Sequence, residues 1–230
     1  MEKMISKVDY TSLTEKETKE SIIEVCKNAI EYNVASVCVY SKWVKLVSEL
    51  LKDSQVKTCT VISFPDGSDE TTDKMLETMQ AIKDGADEID MVFDYNYLKN
   101  GGDEYELYKD VQSVKRVCSI YSKELKVIIE SGLLNDEETV IATRLSIKGG
   151  ADYVKTSTGK VSVGAEIEKV KIIYDTIRYL GVEDSVKIKA SGGIRTKEDM
   201  ELFNPYVDRF GMGYGSIDSI IKGEKTSSYY

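Results

Sequence analysis

Short apolar runs rich in β-branched residues alternate with amphipathic stretches along the chain. Eight runs read as strands, at about 4–9, 34–40, 56–63, 87–93, 125–130, 152–156, 186–190 and 207–211, each of strand rather than helix length. Helical patterns lie between them. Thr14-Glu-Lys-Glu17 has the form of a capping box and predicts a helix with Ile22, Cys26, Ala29 and Ile30 on one side. Trp43, Val44, Val47, Leu50 and Leu51 mark a second helix, and Met75, Leu76, Met79 and Ile82 a third. Further helices fit about 104–122, 136–148, 165–180, 196–203 and 215–222 by the same periodicity. Eightfold strand–helix alternation predicts parallel pairing with right-handed crossovers. The α/β class that matches this count and length is a single-domain (β/α)₈ TIM barrel. It is expected over residues 1–222, with 223–230 as a flexible tail. A doubly wound open sheet is the structural rival. The first predicted strand begins almost at residue 1, which implies only a thin cover, a residue or a water layer, over the barrel's N-terminal end.

One internal echo fixes a height within the barrel. Gly85-Ala-Asp-Glu-Ile-Asp90 resembles Gly150-Ala-Asp-Tyr-Val-Lys155. In each, a glycine ends a helix and a strand follows at once. The echo sets Asp90 and Lys155 at matching positions on the fourth and sixth strands. Strand parity then sorts the faces. Val154 opposes Tyr153 and Lys155; Ile188 opposes Lys187 and Lys189; Ile89 and Met91 oppose Asp90. The apolar sets suit packing under outer helices, so the polar sets point inward. Lys126, Lys155, Lys189 and Asp90 thus converge inside the barrel. Unpaired buried charge costs several kcal/mol, so such a cluster calls for a use.

Composition narrows the use. The chain of 230 residues contains no histidine, which excludes Ser-His-Asp and Cys-His catalysis and histidine-based zinc sites. Acid–base work falls to Asp, Glu, Lys, Tyr or Cys. Cys26, Cys38, Cys59 and Cys118 show neither a C-x-x-C pair nor a zinc spacing and read as reduced, mostly buried thiols. A net charge of −9 disfavours nucleic acid and anionic membrane as partners. No apolar run approaches the length of a membrane span, and the N-terminus has no signal-peptide pattern, so the cytoplasm is the expected location.

A lysine attacks carbonyls only as the neutral amine, about 0.04% of the population at pH 7 at its ordinary pKa. A second ammonium and desolvation both favour the neutral form. Lys155 and Lys189 on neighbouring strands are that arrangement, and Asp90 can move protons through water. This is Schiff-base aldol chemistry, which needs neither histidine nor metal. Three glycine-containing loops follow strand ends: Thr156-Ser-Thr-Gly159-Lys160, Ser191-Gly192-Gly193 and Gly211-Met-Gly-Tyr-Gly-Ser216. Barrels bind phosphate in such loops.

Several segments together resemble the deoxyribose-phosphate aldolase family: Ala35-Ser-Val-Cys-Val-Tyr40, Thr60-Val-Ile-Ser-Phe-Pro65, Gly85-Ala-Asp-Glu-Ile-Asp-Met-Val92, Leu125-Lys-Val-Ile-Ile-Glu130, Val154-Lys-Thr-Ser-Thr-Gly-Lys160 and Lys189-Ala-Ser-Gly-Gly-Ile-Arg-Thr196. The resemblance covers about Val8 to Ser219. It implies reversible cleavage of 2-deoxy-D-ribose 5-phosphate to glyceraldehyde 3-phosphate and acetaldehyde, in deoxyribonucleotide catabolism, with no cofactor or metal and a homodimeric assembly. It implies Lys155 as the Schiff-base lysine, Lys189 as the lysine that perturbs it and Asp90 as the proton-transfer group. Cys38 and Lys126 then line the site, and Thr156, Gly159, Lys160, Gly192 and Gly193 hold substrate and phosphate. Two departures stand out. Asp9-Tyr-Thr11 stands where many members carry Asp-His-Thr, and the loop after the eighth strand lacks the usual paired serines. Gly211, Gly213 and Ser216 are the candidate phosphate contacts there. Tyr230 matches a tail tyrosine that reaches the site in some bacterial members. The alternative reading is another Schiff-base barrel aldolase or transaldolase with a different phosphosugar substrate.

Overall fold

The computed structural model describes residues 1–223; residues 224–230 of the tail, Tyr230 among them, lie outside these. Eight parallel strands close into a barrel in the order β1 to β8. They are β1 Val8–Ser12, β2 Ser36–Val39, β3 Lys57–Ile62, β4 Glu88–Val92, β5 Glu124–Ile128, β6 Tyr153–Lys155, β7 Lys187–Ser191 and β8 Arg209–Gly213. The helices are α1 Glu2–Ile5, α2 Lys19–Tyr32, α3 Val44–Leu51, α4 Thr71–Lys83, α5 Tyr95–Lys99, α6 Glu104–Ile120, α7 Asp136–Gly149, α8 Ile167–Tyr179, α9 Lys197–Phe203 and α10 Tyr214–Lys222. This is the (β/α)₈ barrel that the alternation predicts. No helix among the described residues is long and apolar enough to cross a membrane.

The outward faces of the strands form the apolar core. Val37, Ile89, Met91, Leu125, Val127, Val154, Ile188 and Phe210 are buried under the helices. The repeated Gly-Ala-Asp has a structural purpose at both sites. Gly85 and Gly150 take positive φ, which L side chains resist, and let each helix turn into its strand. Asp87 then accepts the Thr58 N–H and Asp152 the Leu125 N–H, each on the preceding strand.

Four local expectations are corrected. The first strand is Val8–Ser12, not 4–9, because its ladder needs Asp9 opposite Ser36 and Gly211. Glu2–Ile5 instead forms a one-turn helix that buries Ile5, so a helical turn precedes β1 where only a residue or water layer is expected. Helix α2 is capped by Thr18 with Ser21, not by Thr14 with Glu17. Glu17 is drawn inward, where it accepts hydrogen bonds from the Ser12 and Ser21 hydroxyls. Finally, Ile30, Leu76 and Met79 are exposed. The inner face of α4 is Lys74, Thr78, Ala81 and Ile82, because the buried Lys74 ammonium reaches Gly67 O and Asp110 Oδ2, both at 2.6 Å.

Candidate active site

Parity and register bring the predicted cluster together. Asp90 lies opposite Lys126 on β5, and Lys155 lies opposite Lys189. All four are buried. Asp90 sits at the centre. Its Oδ1 accepts from Lys126 Nζ at 2.8 Å, and its Oδ2 accepts from Lys155 Nζ and Lys189 Nζ, each at 2.7 Å.

Beneath these groups lies a second tier that parity reasoning did not single out. Asp9 pairs with Lys189 and takes Arg209 Nη1 at 2.6 Å and the Ser36 hydroxyl at 2.7 Å. Glu88 joins Arg209 at 3.1 Å and Lys126 at 2.6 Å. The contacts close a ring of alternating sign: Asp90, Lys189, Asp9, Arg209, Glu88, Lys126 and back to Asp90. Lys155 hangs from Asp90 outside the ring and, among the described residues, makes no second ion pair, although its charge reaches Glu130. The sequence carries a signal for this tier. Glu88 shares the parity of Asp90, and Arg209 opens the strand whose inward face continues at Gly211.

Burial opposes the charges on Asp9, Asp90, Lys126, Lys189 and Arg209, but the pairing outweighs it. Lys126, Lys155 and Lys189 together hold Asp90 well below the ordinary carboxylate range. Lys126, Lys189 and Arg209 do the same for Asp9. In return, Asp9 and Asp90 raise Lys126 and Lys189, so both stay cationic across the working pH range. Gly211 provides room for this, since a Cβ there would come within 3.0 Å of Lys189 Cε and 2.6 Å of Ser191 Cβ. It lies inside β8, two residues before the strand ends at Gly213. Lys187 has the inward parity of Lys189 but is exposed, with its ammonium 5.2 Å over the Tyr153 ring.

The mouth is formed by the loops after β6, β7 and β8. Gly159, Gly192 and Gly193 all take positive φ. A Cβ on Gly159 would lie 3.8 Å from Gly192 Cα, which places the first two loops side by side. The Thr156 hydroxyl is used internally, donating to Ser191 O and accepting from Ser191 N–H, so it braces β6 against β7. The buried Glu130, in left-handed backbone, takes the Thr158 hydroxyl at 2.5 Å and also accepts the Thr158 N–H. Burial raises its pKa against those bonds. Lys160 crosses the mouth, donating to Leu13 O at 2.5 Å, with Tyr40 and Phe64 under its ammonium. Gly213 caps α10, and Ser216 lies in its first turn, half-buried. Cys38 is buried near Leu13, Tyr40 and Phe64.

A lysine–carboxylate cluster inside the barrel, with Lys155 at the C-terminal end of β6 and glycine loops following β6 and β7, defines a (β/α)₈-barrel enzyme with its site opening at the usual face. The model of the DeoC/LacD family aldolases matches residues 3–208. A deoxyribose-phosphate aldolase of Clostridium botulinum is 47% identical over 203 residues, 87% of this chain and 91% of its own. One from Clostridium kluyveri is 44% identical over 206 residues, 89% and 91% of the two chains. Among solved structures, the tetrameric deoxyribose phosphate aldolase of Aeropyrum pernix superposes with a TM-score of 0.85 at 27% identity, over 95% of this chain and 91% of that one. The chain belongs to the deoxyribose-phosphate aldolase family, and its enzyme class is that of the lyases.

Proposed function

We propose that the chain cleaves 2-deoxy-D-ribose 5-phosphate reversibly through an imine on Lys155, in the cytoplasm and in deoxyribonucleotide catabolism. The observation that carries the choice of nucleophile is the unequal pairing of the three lysines. Lys126 and Lys189 are locked into the ring as cations between carboxylates. Lys155 alone is held by one carboxylate and, at 3% exposure, is the one lysine of the three with surface at the mouth.

The Lys155 amine adds to C1 of the open-chain sugar, and loss of water from the carbinolamine leaves an iminium. The sugar's C3 hydroxyl then gives up its proton and the C2–C3 bond breaks. Glyceraldehyde 3-phosphate departs, and a two-carbon enamine remains on Lys155. Protonation at C2 and hydrolysis release acetaldehyde. Asp90 Oδ2 lies against both Lys155 and Lys189. It is the group placed to pass protons, through water, to and from the carbinolamine and the enamine carbon. Gly159, Lys160, Gly192, Gly193, Gly213 and Ser216 surround the mouth and are assigned to the phosphate. The working assembly is read as a homodimer, in keeping with the frequency of two-fold symmetry.

Borohydride added during turnover tests this assignment. A two-carbon or whole-sugar adduct mapped to Lys155 by mass spectrometry, and absent from Lys155→Met, is the expected result. An adduct on Lys189 or Lys126 would reverse the roles. No adduct in folded protein with ample substrate would overturn the imine for this sugar.

A further inference from the structure

Two thiols enter the barrel beside Asp90, and the aldol steps use neither as acid, base or nucleophile. Cys38 on β2 and Cys59 on β3 are register partners. Their sulfurs and one Asp90 oxygen all lie within 4.8 Å of one another. Parallel neighbours run about 4.8 Å apart, inside the Cα spacing that a disulfide spans. Cys59 Sγ is also 3.2 Å from Asp90 Oδ1 and 3.3 Å from Lys126 Nζ.

The two sulfurs are chemically unequal. A hydrogen bond from Cys59 lowers the Cys38 pKa; burial and Asp90 oppose this, and Lys189 and Lys155 add to it. Cys59 is pushed well up, by burial and by its bond to Cys38. The proton on Cys38 is therefore the more easily lost of the two. The other two cysteines differ from this pair. Cys26 on α2 and Cys118 on α6 are buried, and burial pushes each to about 12. The atoms of Cys38, Cys59 and Asp90 would also suit a soft cation. Four basic side chains stand against three carboxylates in the surrounding cluster, however, and oppose a further dication. A disulfide adds no charge.

We propose that Cys38 and Cys59 form a reversible disulfide when the enzyme meets a hydroperoxide, and that this bond turns the site off. The Cys38 thiolate attacks one peroxide oxygen, the O–O bond breaks, and hydroxide leaves a sulfenic acid behind. Cys59 sulfur attacks the sulfenic sulfur, the S–OH bond breaks, and the departing oxygen takes the Cys59 proton as water. With hydrogen peroxide, two thiols and one peroxide give one disulfide and two waters: sulfur is oxidised and peroxide oxygen reduced. Cys38 packs beside Leu13, Tyr40 and Phe64, which are only partly buried at the mouth. Hydrogen peroxide is no larger than the two-carbon aldehyde that the proposed reaction passes through the same opening. The bond draws Cys59 Sγ away from Asp90 and Lys126 and so disturbs the carboxylate that holds Lys155.

Peptide mapping of the full chain after hydrogen peroxide tests the bond whatever sugar the enzyme takes. The expected product is about 2 Da lighter, the two thiol hydrogens lost. It carries a Cys38–Cys59 linked peptide, and dithiothreitol reverses it. Activity should fall at least about tenfold and return with reductant; this second readout alone rests on the proposed reaction. Cys59→Ala should give no lighter species, and its Cys38 should gain oxygen instead. Wild-type protein that stays unmodified, that gains only oxygen, or that links a different pair overturns the proposal. These wild-type outcomes decide the matter even if the variant does not fold.

Discussion

Inside the barrel, six side chains of alternating sign hold one another in a ring, each with partners on either side. At the mouth, the residues assigned to phosphate are glycines at or just past strand ends, Ser216 in the first turn of α10 and one exposed lysine tied to Leu13 O. The difference separates what is built in advance from what a ligand must assemble. The ring's geometry needs no substrate, and its charges are fixed by neighbours that cannot leave the barrel. Preorganised charge of this kind acts without reorganisation at the moment of reaction. Lys160 commits one of its three N–H donors to Leu13 O, and among the described residues the donors left over have no acceptor until a ligand supplies one.

The contrast can be broken most severely at its centre. Asp90→Asn removes the carboxylate shared by Lys126, Lys155 and Lys189. Turnover should fall about 10²–10⁴-fold, the range for a lost proton-transfer group. Stability should fall by about 3 kcal/mol, since buried ammoniums lose their partner. Steady-state kinetics and urea unfolding check both. A variant with near-normal kcat would show the ring to be scaffolding only.

A milder disturbance is pH. Asp9 and Asp90 are depressed in the fold, so the stability they supply is complete above about pH 4, their unfolded pKa, and is lost as pH falls further. Lys126 and Lys189 are raised, so theirs is complete below about pH 10.4 and is lost as pH climbs through the folded values. Thermal melts should show an acid arm below pH 4 that becomes shallower in Asp90→Asn. An unchanged acid arm would mean that carboxylates outside the ring govern acid unfolding.

The mouth should give the smallest effect. Lys160→Ala is expected to raise KM for the phosphorylated sugar about tenfold, equivalent to about 1.4 kcal/mol, with kcat little changed. Unphosphorylated deoxyribose should not distinguish the variant from wild type. A comparable loss on both sugars would place Lys160 in the chemistry and blur the division between ring and mouth.

How legible each region was follows from the same physics. The strands could be read because buried parallel strands are continuous apolar runs, and strand parity carried Asp90, Lys126, Lys155 and Lys189 to one face. The first strand was misplaced because Met4 and Ile5 look like strand residues, while the ladder to β2 and β8 decides the register. The inner face of α4 was misread because Lys74 is polar in composition yet buried through Asp110, a partner 36 residues away. Arg209 escaped notice, and Asp9 was named only within Asp9-Tyr-Thr11 and given no role, for a similar reason. They meet only because the barrel closes β1 on β8, and no local pattern encodes that closure. The loop residues had a weaker signal, since glycine marks a turn whether or not a ligand binds there.

The ring also has a consequence for how this chain can drift. Deleting one member strands an odd charge in a sealed space, whereas deleting an acid and its adjacent base together keeps the count even. Arg209 is the member opposite Asp90, three links away whichever way the ring is followed, and Glu88 adjoins it. Lineages should exchange positions 88 and 209 as a couple, for an apolar pair or a swapped pair, and seldom singly. Aligned relatives in which either changes freely without the other would refute this. In heredity, as in the barrel, the unit is the bond between two charges rather than the residue.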